Sequence, residues 1–239
     1  MSECKNCNHD LDGNYCSNCG HPTKLKRIDS HYIKNELRNL FYLEKGFFYS
    51  IKELIIRPGQ SVRKFVSEDR NRLVKPVTFL IVTSLIYTLI NLYFHIDDEY
   101  VNYESIEDSA ISTILRWILE HHGYGNIIMG IFIAFWTKTF FKKYGYNFFE
   151  ILILLCFLMG IEMLVCSIFG IIEGVTNIQL AYIASLLGST YTIWATAQFF
   201  ENKLTNYLKA TAAAALGWLL FILSIVFSGI AVDIITGSL

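Results

Sequence analysis

The chain has 239 residues, of which 53% are hydrophobic, 15% aromatic and 17% charged, with a mean hydropathy of +0.39. That is too apolar and too sparsely charged for an ordinary water-soluble domain, and it points to a protein of the lipid bilayer. The formal net charge of −1 says nothing of partners by itself, because it hides a segregation of the basic residues along the chain.

Residues 1–30 are polar and cysteine-rich and lack the apolar core of a signal peptide, so export of this end is not expected. Cys4 and Cys7 form one C-x-x-C and Cys16 and Cys19 another, with eight residues between the pairs. This spacing lets two knuckles enclose a tetrahedral zinc ion at about 2.3 Å, with Asn8 and Gly20 where the backbone turns under the metal. A redox dithiol or a pair of disulfides is the alternative. Four thiolates close a site, so the zinc would be structural and His9 and His21 are read as surface residues. The ribbon, residues 1–23, carries Lys5 against Glu3, Asp10 and Asp12, a poor footprint for nucleic acid.

Residues 24–76 are expected to be basic, amphipathic and juxtamembrane. Ile33, Leu37, Phe41, Phe48, Ile51 and Ile55 recur at helical spacing, with Lys34, Arg38, Lys45 and Lys52 on other faces. The pattern suits a helix among anionic lipid headgroups, or one packed on the cytosolic ends of the spans. Arg57-Pro58-Gly59 breaks it, and a second short helix is expected at roughly 60–70.

Residues 77–239 read as a five-span bundle, with apolar runs at 77–96, 126–141, 148–172, 178–200 and 211–235, the second extending backward through Gly123 to Gly125. Nineteen of the twenty Lys and Arg residues then fall on one side and only Arg116 on the other. The positive-inside rule puts the amino terminus in the cytoplasm and the carboxyl terminus outside. An acidic outer loop, 97–125, should hold a surface amphipathic helix marked by Ile111, Ile114, Leu115, Ile118 and Leu119 and capped near Ser109. His121 and His122 beside it are solvated residues or metal ligands.

Two polar stripes run inside the spans: Ser84, Thr88, Asn91 and His95 on the first, and Ser185, Ser189, Thr192 and Thr196 on the fourth. Each serves either as packing between helices or as the wall of a wet path. Glu162 falls near the middle of the third span, where a carboxylate is costly, so it should face the bundle interior or remain a neutral acid. Glu173 lies nearly on the same helical face, with Cys166 between them.

The two C-x-x-C pairs, "LEKGFFYSIKELIIRPGQSVRKFV" at 43–66 and "RLVKPVTFLIV" at 72–82 resemble a bacterial family of uncharacterised membrane proteins, a domain of unknown function with a Cys₄ ribbon and a multi-span region. The layout is also similar to the Yip family of membrane-trafficking proteins. Neither resemblance implies an activity. No pairing of nucleophile with base, open metal site or phosphate loop can be assembled, so the expectation is a non-enzymatic protein of the bacterial cytoplasmic (inner) membrane. Its ribbon would form a cytosolic docking platform for a protein partner. The alternative is a small transporter or channel built on Glu162 and the stripes, with Glu173, Asn91, His95, Ser189 and Thr192 as candidate site residues.

Overall fold

A computed structural model describes residues 7, 17–19, 46–94, 96 and 110–236 and divides the chain into two units, Met1–Lys45 and Gly46–Leu239. In the first unit Cys7 and residues 17–19 sit in turns. Cys4 and Cys16, the predicted helix before residue 46, His95 and residues 97–109 lie outside the described residues.

In the second unit every regular element among the described residues is helical: α1 over 46–56, α2 Pro58–Ser67, α3 Pro76–Phe94, α4 Ala110–Glu120, α5 His122–Phe140, a 3₁₀ turn at Lys142–Tyr144, α6 Phe148–Thr176, α7 Ala181–Phe200 and α8 Leu204–Thr236. α6 is the central helix, packed against α3, α5 and α7, while α8 closes the bundle against α5 and α7. Its start is fixed by a capping box: Asn147 Oδ1 accepts from Glu150 N at 2.9 Å and Glu150 Oε2 accepts from Asn147 N at 2.8 Å. Ile151, Leu154, Leu155, Phe157, Leu158 and Ile161 on α6 are almost fully buried.

The outward faces are apolar. On α3 the exposed residues are Val77, Ile81, Leu85, Leu89, Leu92 and Tyr93, one helical stripe, and Leu219, Leu223, Phe227 and Ile230 form another on α8. Such continuous apolar belts fit hydrocarbon and not water. Three helices, α3, α6 and most of α8, are long and apolar enough to cross a membrane. α5 and α7 have 19 and 20 residues, about 28 to 30 Å at the α-helical rise, but are less apolar. Asn126 and Lys138 on α5, and the serines and threonines of α7, account for the difference.

The chain breaks at Arg57, and Pro58 begins α2 directly after it, as proline at a first helical position can. The apolar stripe of α1 faces outward, as a helix among lipid headgroups requires, with Phe48 68% and Ile55 54% exposed. A different face packs on the bundle: Leu54 is fully buried, Phe47 lies 5.3 Å from Phe79, and Ser50 Oγ accepts from Val74 N at 3.0 Å. Both expected roles are therefore available to α1, on opposite sides. α2 buries Val62 and Phe65, the latter edge-on to Phe157 at 5.3 Å, and Arg63 Nη1 donates to Phe199 O at 3.1 Å.

The helix of the outer loop is present as expected and rests on the bundle. α4 packs on α8, with Ile111 against Gly229, and its first N–H, Ala110 N, donates to Asp233 Oδ1 at 3.0 Å. Only His121 separates α4 from α5, and its N–H donates to Trp117 O at 3.0 Å. The second apolar run is thus the latter half of a broken helix, 110–140, rather than a short isolated one.

Candidate functional site

Glu162 is the middle residue of α6, with about 21 Å of helix on either side. A glycine on the facing helix makes room for it: a Cβ built at Gly188 would stand 2.6 Å from Glu162 Cγ. One turn further along α7, Thr192 Oγ1 donates to Glu162 Oε2 at 3.3 Å. The carboxyl is therefore held between α6 and α7, facing the bundle as its cost in hydrocarbon requires.

Beside it lies a cavity of about 680 Å³, within the roughly 300 to 1,000 Å³ of small-molecule sites. All five long helices contribute: Tyr87 and Ile96 lie at the α3 side, Asn126, Met129 and Ile133 on α5, Thr211, Ala214, Ala215 and Trp218 on α8. From α6 come Met159, Glu162, Met163, Cys166, Phe169 and Glu173, and from α7 Ala184, Ser185, Ser189, Thr192 and Ile193. The wall is mostly hydrocarbon, aromatic and thioether. None of the lining residues is Lys or Arg, and no Lys or Arg occurs anywhere from Tyr144 to Asn202.

The predicted site residues divide accordingly. Glu162, Cys166, Glu173, Ser189 and Thr192 come together on the cavity wall. Glu173, 5% exposed, also has a local task, since its Oε2 accepts from Leu180 N at 3.0 Å and so caps the start of α7. The described residues of the α3 stripe, Ser84, Thr88 and Asn91, are not on the cavity wall. Ser84 is buried against Gly123, Thr88 donates back to Ser84 O at 3.0 Å, and Asn91 is half-buried away from the lining. Tyr87, outside that stripe, takes the place on the wall. His121 stacks on Trp117 at 4.8 Å and His122 meets Tyr87 edge-on at 4.8 Å. Among the described residues no three His, Cys, Asp or Glu are grouped to hold a metal; the predicted zinc ligands are not all among them.

Sequence reasoning missed Asn126, Tyr87 and Trp218. Asn126 is 9% exposed, and its Nδ2 is buried with no hydrogen-bond partner. The single signal in the sequence was an amide opening an apolar run.

At the basic end of the bundle, Glu201 Oε2 lies 2.7 Å from Lys203 Nζ and accepts from Tyr144 OH at 2.9 Å. Lys203 and Tyr144 together hold the Glu201 carboxyl below its ordinary range.

Residues 44–88, which make up α1, α2 and most of α3, match a family described as a protein of unknown function (DUF3667). The match takes in nearly all of the two segments quoted above and leaves out the cysteine pairs. No curated protein and no solved structure matches the chain.

Proposed function

We propose that this chain is a five-span, non-enzymatic membrane protein that binds and moves a small cation through the cavity at Glu162. The observation that carries the reading is the position of that carboxyl: midway along the central helix, on the wall of a 680 Å³ cavity to which every long helix contributes. An ionisable group at that depth is retained at a cost, and the absence of Lys and Arg from the cavity wall leaves its negative charge to a ligand. This puts the transport reading ahead of the docking platform. Five crossings are supported by the alternation of the connections, Lys142–Tyr144 and Glu201–Lys203 at the end where α2 packs, and the Asn177–Leu180 turn at the other. The cation bias then orients α2 toward the cytoplasm of a bacterial inner membrane.

Purified protein in liposomes should carry a proton or cation flux that Glu162→Gln abolishes while thermal stability is kept. A Glu162→Gln protein with wild-type flux would remove the reading. The amino-terminal ribbon remains a proposed structural zinc site of Cys4, Cys7, Cys16 and Cys19 that docks a cytosolic partner. Elemental analysis should find one zinc per chain, reduced by Cys16→Ser, and zinc-free protein would contradict it.

A further inference from the structure

We infer that the ligand of the Glu162 cavity is an apolar organic cation, an ammonium or phosphonium type carrying hydrocarbon or aromatic groups, rather than a bare metal ion. This rests on the reading that Glu162 is a cation site and adds the chemical class.

A hard cation needs about six oxygen ligands to replace its water. The other oxygens of the wall are dispersed over all five long helices, on Tyr87, Asn126, Glu173, Ser185 and Thr211 besides Ser189 and Thr192, among apolar residues such as Met159, Met163, Phe169 and Ile193. Oxygens so scattered do not gather into one hydration shell. A single soft ion would suit the thioethers but would occupy little of the 680 Å³, leaving the rest to water or lipid. An organic cation satisfies both halves of the wall. Its charge pairs with the carboxylate, and its body fills the apolar volume, whose wall includes the aromatic residues Trp218, Tyr87 and Phe169.

Asn126 on α5 brings a buried, unpaired Nδ2 donor to the same wall. The cationic centre cannot meet an N–H donor, so water bound with the ligand would be received there.

The experiment uses full-length protein in lipid nanodiscs and two probes of one shape and opposite charge, tetraphenylphosphonium and tetraphenylborate, with empty nanodiscs subtracted. Equilibrium dialysis should show saturable, one-to-one binding of the phosphonium and none of the borate. Glu162→Gln should weaken the phosphonium by about 30-fold or more, the loss expected when one partner of a buried charge pair is removed. Ala215→Phe, which fills the cavity and keeps the carboxyl, should weaken it as well. Equal uptake of both probes, or of neither, by the unmodified protein overturns the inference without reference to any variant; a cavity occupied by a lipid chain would give the second result. If neither probe binds but a Glu162-dependent proton or alkali-cation flux persists, the ligand class is wrong and the cation site stands. If that flux is missing too, both fall.

Discussion

At the scale of single residues, Glu162 was legible because a lone carboxylate in an apolar run has a known cost and few ways to meet it. Its partner Thr192 was legible only as one of a stripe. Gly188 was not, since nothing in a sequence says which glycine faces which carboxyl. The contact makes a prediction: Gly188→Ala pushes a methyl into Glu162 Cγ and should cost about 1–3 kcal/mol by overpacking, read as a lower melting temperature in detergent. A surface glycine, Gly145→Ala, is no neutral control, because its φ of +78° is itself strained for alanine. Glu201 gives a prediction in pH. Its carboxyl is held low by Lys203 and Tyr144, so its contribution to stability is full above the ordinary carboxylate pKa of about 4.3 and fades as pH falls through the lowered value. Thermal melts from pH 7 to 3 should show this loss in the wild type, and Glu201→Gln should lack that component.

At the scale of elements, periodicity located helices well and left open which way the apolar face of α1 turns. An apolar stripe reports that a face avoids water, and a bilayer offers it a second place to go. The stripe of Phe48 and Ile55 is exposed, and the buried side of α1 is made instead by Ser50 and Leu54, one of them a polar residue whose hydroxyl accepts from Val74 N and donates to Gly46 O. The same ambiguity left open what the loop helix α4 rests on, which is α8 through Ile111 and α5 through Ile118. α1 and α2 are tied to the carboxyl-terminal half of α7 by contacts that add to the Arg63–Phe199 hydrogen bond. Tyr191 OH donates to Leu54 O at 2.9 Å, and Gly59 lies against the backbone of Gln198 and Phe199. Tyr191→Phe should cost about 1–3 kcal/mol by stranding a buried carbonyl. Hydrogen exchange in residues 46–67 should rise while that of α6 stays protected; unchanged exchange there would mean the tie is not structural. Tyr191 neighbours Thr192 in sequence, so the segment that matches DUF3667 is joined to the cavity through one turn of α7.

At the scale of the molecule, composition and hydropathy made the helical membrane architecture legible, and the cation count predicts an orientation. The cavity was not legible, because it depends on which faces of five helices meet, and its wall is largely Met, Ile, Phe and Ala, residues that look like ordinary core. Orientation is checked by impermeant thiol labelling in intact cells, where Ser238→Cys should react and Asn202→Cys should not; the reverse pattern would overturn the orientation, and equal labelling the five-span topology. The central claim is that Glu162 is the group on which cation movement depends. It is tested most directly with dicyclohexylcarbodiimide, an apolar reagent that couples to carboxyl groups sheltered from water. Peptide mass spectrometry should find Glu162 modified ahead of the outlying Glu150 and Glu201, with flux in liposomes lost in proportion to modification. Complete modification of Glu162 with flux unchanged would contradict the account.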